Sequence, residues 1–243
     1  MSILFAHEMG HYLACRYYGV DATLPFFIPA PGIGLVGTLG AFIRIRGPIP
    51  HRRALFDIGI AGPLAGFAVC LPVLWLGVTE AQVVPAAAGD ANVLSLGEPL
   101  LFQWATVWLR GAAVEGQTLL LGPLGAAAWF GLFVTALNMM PVGQLDGGHV
   151  THAMIRRHAV VVSRLGILAC AGLLYLRPTW LLWTALLLVL ARRPHPPTVD
   201  DEQPLGRARM AVGLFGFAVF AVCFTPSPIV VSWSEFLSAF TSR

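Results

Sequence analysis

The 243-residue chain has no lysine: its 15 basic residues are all arginine, against 12 acidic ones, for a formal net charge of +3. Charged residues make up only 11% of the sequence while 57% is hydrophobic, and the mean hydropathy is +0.75. So little polar side chain cannot cover a globule in water, which excludes an ordinary soluble domain and implies a membrane protein. The small net charge offers no basic surface, so no nucleic-acid partner is expected. Arginine without lysine reads as a GC-rich coding bias and points to a bacterial source. Cysteine is scarce as well, and Cys15, Cys70, Cys170 and Cys223 each fall in a separate apolar stretch. That placement excludes a disulfide framework and reads them as small buried apolar residues. No basic stretch with a small-residue cleavage site precedes the first apolar run, so a removable signal peptide is not expected.

What is abundant is apolar sequence. About six runs approach the roughly 20 residues that cross a bilayer as a helix: Ser2 to Gly19, Ala54 to Val78, Gln117 to Met140, His158 to Leu176, Thr179 to Ala191 and Arg207 to Phe224. The fifth is short and follows Pro178, as a helical hairpin partner or a partly inserted segment would. Counted from Met1, the first spans at most about 27 Å. Arginines follow the first run (Arg44, Arg46, Arg52, Arg53), the third (Arg156, Arg157) and the fifth (Arg192, Arg193, Arg207, Arg209). The stretch 79–116 carries Glu80, Asp90, Glu98 and Glu115 against Arg110 alone. The arginine-rich side is therefore expected to be cytoplasmic.

Within the first run stand His7-Glu8-Met9-Gly10-His11. On a helix, residues i and i+4 project from one face, which suits two imidazole ligands of a tetrahedral zinc, with Glu8 placed to handle a proton. Ionisable groups are costly in hydrocarbon, so this pattern there is far less expected by chance than in a soluble helix. A second unusual stretch runs Asn138-Met139-Met140-Pro141-Val142-Gly143-Gln144-Leu145-Asp146-Gly147-Gly148-His149. One proline and three glycines break a helix inside the membrane, which is tolerated only where the freed backbone is buried or lines a wet cavity. A catalytic zinc takes three protein ligands and an open position, and Asp146 is the candidate third; the alternative is a helix N-cap after the break. His11 lies eight residues before Gly19 and Asp146 ten before Arg156, so both are expected roughly 12–15 Å from the arginine-rich ends.

These residues carry a resemblance. His7-Glu8-Met9-Gly10-His11, Asn138-Met139-Met140-Pro141 and Leu145-Asp146-Gly147 resemble the motifs of the site-2 protease family of intramembrane zinc metalloproteases (peptidase family M50). Ala61-Gly62-Pro63-Leu64-Ala65-Gly66 resembles the segment after that family's membrane-associated β-hairpin. The likeness covers roughly residues 1–157. It implies one catalytic Zn2+ held by His7, His11 and Asp146, with Glu8 as catalytic base. Asn138 matches an asparagine for which transition-state stabilisation has been proposed; a helix-helix hydrogen bond is the other reading of its amide.

The expected fold class is therefore an all-α membrane protein, a polytopic bundle of about six transmembrane helices with a small membrane-associated β-hairpin between the first two. Residues 24–50 are apolar, yet prolines and glycines exclude a helix and Phe42-Ile43-Arg44-Ile45-Arg46 alternates like a strand. The hairpin either offers an edge to an extended substrate or merely plugs the bundle. Leu100 to Arg110 is expected to form a short interfacial helix with Trp104 and Trp108 on one face. Gly62 and Gly66 read as a close-packing pair rather than as chemistry. His149 and His152 are assigned to support the site or line its cavity, and His51, His158 and His195 to the surface. The domain reading is a catalytic core over 1–157, further helices over 158–224 and a short tail over 225–243, with no room in 79–116 for an inserted regulatory domain.

The function expected is intramembrane hydrolysis of peptide bonds in transmembrane or juxtamembrane segments of membrane proteins, in regulated proteolysis or signal-peptide clearance. The setting expected is a bacterial cell membrane, with the site near its cytoplasmic face. A proteolytically silent zinc-binding factor that escorts membrane clients is the alternative. A metal transporter fits less well, because its ligands would be spread over several helices.

Overall fold

A computed structural model of the chain describes residues 1–29, 38–85, 95–111, 116–191, 198–200, 202–231, 233, 234 and 236. The elements run α1 (Ser2–Tyr17), β1 (Phe26–Pro29), β2 (Thr38–Phe42), β3 (Ile49–His51), α2 (Arg52–Glu80), β4 (Gln82–Pro85), α3 (Leu100–Arg110), β5 (Gln117–Leu120), α4 (Pro123–Met139), α5 (Asp146–Ile155), α6 (Ala159–Leu176), α7 (Trp180–Ala191), β6 (Thr198–Asp200) and α8 (Arg207–Cys223). A single 3-10 turn, Arg156–His158, joins α5 to α6.

The central element is α2, against which α1, α4, α5 and α8 all pack. It is apolar on every side, as a helix enclosed by other helices must be. The main core lies between α2, α4 and α8, where Cys70, Leu74 and Val78 meet Ala128, Trp129, Leu132, Val219 and Cys223. The N-terminus of α2 is capped by His51, whose Nδ1 accepts from the Ala54 N–H at 3.1 Å. His51 thus satisfies an orphan helix donor, where the sequence suggested only a surface residue. All four cysteines are buried and free, as their apolar surroundings implied.

Among the described residues, two helices are long and apolar enough to cross a membrane: α2, and the continuous run Asp146–Leu176 that joins α5 to α6. The apolar helices Pro123–Met139 and Trp180–Val189 are shorter. Six full crossings are not confirmed by helix length among the described residues. The third expected run is the clearest difference. Pro123 starts α4 at its first turn, and the residues before it form β5. Strand β5 pairs antiparallel with β4, Gln82 opposite Leu120 and Pro85 opposite Gln117. Proline has no N–H to continue a helix backwards, so the backbone upstream pairs laterally instead.

The arms of the expected hairpin are present. Strands β1 and β2 pair antiparallel, Phe26 opposite Phe42 and Pro29 opposite Thr38. The pairing continues through the bridge between Ala22 and Ile45 and the Arg46 N–H to the Asp21 carbonyl, 2.8 Å. The connection 30–37 lies outside the described residues. Helix α3 forms over Leu100–Arg110, with Trp104 and Trp108 55% and 74% exposed.

Arginine side chains bind backbone carbonyls at both ends of α2. Arg110 donates to the Val78, Thr79 and Ala81 carbonyls at the C-terminus of α2. At the other end Arg52 donates to the Ala153 and Met154 carbonyls of α5, and Arg53 to the Pro204 carbonyl. Arg110 and Arg52 thereby satisfy carbonyls at helix C-termini, and Arg53 ties the start of α2 to the segment before α8.

Candidate active site

The first half of the site is the buried face of α1. His7 and His11 are 4% and 8% exposed, one turn apart, with ring centroids 4.8 Å apart in an edge-on arrangement. They can be buried because α2 lacks side chains where they sit. A Cβ on Gly62 would overlap the His11 imidazole, and one on Gly66 would press on the His7 Cβ at 3.1 Å. Gly10 has the same function in reverse, lying against the Ala61 carbonyl. Gly62 is therefore closer to the chemistry than the close-packing reading held. The Ile58 carbonyl of α2 accepts from His11 Nδ1 at 2.7 Å. A carbonyl only accepts, so Nδ1 carries the proton and a neutral ring presents its lone pair at Nε2.

The second half is the break between α4 and α5. Leu145 occupies the N-cap position and Asp146 is the first helical residue, so the N-cap reading of Asp146 does not hold. Its Oδ2 instead lies 3.2 Å from His7 Nε2 and 3.3 Å from His11 Nε2. Glycines again permit the approach: a Cβ on Gly147 would overlap the Met139 carbonyl, and one on Gly148 the Gly143 carbonyl. Gly143 itself has φ +52, a left-handed conformation that glycine adopts without penalty.

The three donor atoms form a nearly equilateral triangle, since the two Nε2 atoms are 3.1 Å apart. Ligands about 2.0–2.1 Å from a tetrahedral zinc are about 3.3–3.4 Å from one another, so the donor set and its spacing fit that ion. A lone-pair nitrogen facing a carboxylate oxygen is repulsive until a proton or a shared cation lies between them.

Glu8, next along α1, points elsewhere: its Oε2 accepts the Ile43 N–H at 2.9 Å, just past the end of β2. Asn138, in the last turn of α4, has Nδ2 3.3 Å from His7 Nε2. All five residues line one cavity of about 630 Å³, whose other walls include Ala41, Phe42, Ile43 and His149. His149 follows Asp146 by one turn and lines this cavity, whereas His152 does not. His158 is exposed, as expected, and His195 lies outside the described residues. The Ile58 carbonyl and the Ile43 N–H escaped sequence reasoning, because a backbone group carries no residue-specific signal. The small-xxx-small spacing of Gly62 and Gly66 was the one available hint.

The fold and site thus define a mostly helical protein with two candidate membrane spans and a two-histidine, one-aspartate cluster beside a glutamate in one partly open cavity. The family model described as Peptidase family M50 matches residues 1–175. The chain belongs to that family. Among curated relatives it is 34% identical over 240 residues to the Arabidopsis thaliana protein named Probable zinc metalloprotease EGY1, chloroplastic, covering 97% of this chain and 42% of that one. It is 32% identical over 233 residues to the Oryza sativa subsp. indica protein named Probable zinc metalloprotease EGY2, chloroplastic, covering 90% of this chain and 40% of that one. The chain thus spans about two fifths of the length of these curated relatives. Both are named chloroplastic and come from plants, so they lend no support to a bacterial cell membrane, and arginine usage reports coding bias rather than compartment. No solved structure matches.

Proposed function

We propose that the chain carries the catalytic core of a zinc endopeptidase that hydrolyses peptide bonds in transmembrane or juxtamembrane segments of membrane proteins. His7, His11 and Asp146 hold the one zinc ion, and the observation that carries the reading is the triangle their donor atoms form. Family membership and the names of the curated relatives support the same chemistry. The catalytic core corresponds to residues 1–157, and the site lies toward the arginine-rich face, where water can reach it.

When bound, zinc supplies Lewis acidity to a peptide carbonyl and makes water a competent nucleophile near neutral pH. Glu8, in the same cavity, accepts the proton of the attacking water and returns it to the leaving amine. To do so its carboxylate exchanges the Ile43 N–H for that water. Asn138 faces the same space and either donates its amide N–H to the developing oxyanion or holds α4 to α1 through His7. Ala41, Phe42 and Ile43 bring the second arm of the hairpin to the cavity wall, so an extended substrate segment can lie along β2 with its scissile bond at Glu8. Such pairing requires the substrate helix to unwind locally.

The test compares wild type with Glu8→Gln on a panel of single-pass membrane substrates, with metal analysis of both. The expected result is one zinc per chain in each protein and a loss of cleavage of about 100-fold or more in the variant, the range general base catalysis contributes. Equal cleavage by both removes Glu8 from the mechanism. Zinc without cleavage by wild type favours the silent-factor reading.

A further inference from the structure

The family match ends at residue 175, yet the segment beyond it is stitched to the site. Strand β6 pairs parallel with β3, Ile49 opposite Thr198, and Ile49 lines the cavity. Arg209, in the first turn of α8, grips the Asp57 carboxylate of α2 with Nε at 2.9 Å from Oδ1 and a terminal nitrogen at 2.8 Å from Oδ2. The Tyr18 hydroxyl, at the end of α1, donates to the same carboxylate and receives Arg209 at 3.3 Å. One cluster thereby ties α1, α2 and α8, one residue from the Ile58 carbonyl that orients His11.

Above this cluster α8 presents two glycines to its neighbours. Gly213 faces Met154 of α5 and Phe56 of α2, and Gly216 faces Ile60 of α2 and Met139 of α4. These three helices carry the seat of His11, the ligand Asp146 and Asn138. The Arg209 and Asp57 side chains are 34% and 28% exposed, and an ion pair of that exposure contributes little stability. Its two-pronged geometry instead fixes direction, as a guanidinium fork on a carboxylate does.

We infer that α8, anchored through Arg209 on Asp57 and Tyr18, sets the spacing between the helix that seats His11 and the helix that carries Asp146, which makes Arg209 a positioning residue for the metal site. The inference rests on the reading of His7, His11 and Asp146 as the zinc ligands.

The experiment uses the full chain in detergent, as wild type, Arg209→Gln, Arg209→Lys and Tyr18→Phe, with His11→Ala as a control. Zinc affinity is measured by chelator competition, and ligand geometry by the visible absorption of the Co2+-loaded protein at saturating cobalt. Arg209→Gln is expected to weaken zinc binding about 10-fold or more, the range seen when groups behind metal ligands are removed, and to shift the cobalt bands. Arg209→Lys, which restores the charge without the fork, recovers only part of the loss. Wild-type affinity, or weaker binding with an unshifted cobalt spectrum, overturns the inference, because the second outcome reports general stability alone. If Arg209→Gln does not fold, Tyr18→Phe removes a single hydroxyl and is read by the same two outcomes. Undiminished binding in His11→Ala refutes the zinc reading instead.

Discussion

The two halves of the site reach one point by opposite means. On the histidine side an unbroken helix, α1, is received by a neighbour from which side chains are missing, so that the imidazoles of His7 and His11 lie over the backbone of α2 at Gly62 and Gly66. On the aspartate side the chain itself breaks, and Asp146 arrives as the first residue of a new helix whose glycines press against the carbonyls of Met139 and Gly143. The comparison teaches that a buried polar cluster can be housed by thinning the partner or by interrupting the carrier. In both cases glycine provides the space, since it alone lets another group approach the backbone so closely.

The comparison is most severely tested at the donor atoms. His11→Ala and Asp146→Ala are each expected to weaken zinc binding well beyond the about 10–100-fold typical of outer groups, as followed by chelator competition. Strong binding that survives either change would mean that the two halves do not share an ion.

A smaller effect separates the two ways of making room. Gly62→Ala places a methyl group into the His11 ring, and Gly147→Ala places one against the Met139 carbonyl. Each is expected to cost about 1–3 kcal/mol, the usual range for overpacking, measured by denaturant or thermal unfolding in detergent. Gly62→Ala should also displace the imidazole and weaken metal binding. A Gly62→Ala protein of wild-type stability and affinity would show that α2 has slack the packing denies.

The smallest effect on metal binding is expected where the halves are linked away from the metal. Arg52→Gln removes charged donors from the Ala153 and Met154 carbonyls, which join the start of α2 to the end of α5. The expected loss is about 1.5–3 kcal/mol by unfolding, from hydrogen bonds to a charged group. Zinc affinity should change less than in Gly62→Ala.

Much of the site was legible because its residues are locally patterned. The i, i+4 spacing of His7 and His11 is a property of any helix, and Pro141 with Gly143, Gly147 and Gly148 signals a break whatever surrounds it. The His51 cap, the β4 and β5 pairing and the α8 anchor were not legible. The last two depend on partners far along the chain, Gln117 to Leu120 on residues 82–85 and Arg209 on Asp57, while the cap partner of His51 is only three residues on but belongs to a helix whose start was expected two residues later. The third run was overestimated for a related reason, since an apolar stretch does not report where lateral pairing of Gln117 to Leu120 replaces helical pairing.

The sequence by itself determined the medium, through its hydropathy and paucity of charge, and the chemistry on offer, through two histidines at helical spacing, a glutamate between them and an aspartate after a broken helix. Both are sums or short-range patterns, readable without knowing what lies opposite. Only the tertiary structure decided that residues 7, 11 and 146 bring three donors within 3.1–3.3 Å, that a carbonyl selects the His11 tautomer, and that Glu8 rests on the hairpin. Those outcomes depend on backbone groups and on glycines of other elements, which act through space, so the order of residues does not report what they face.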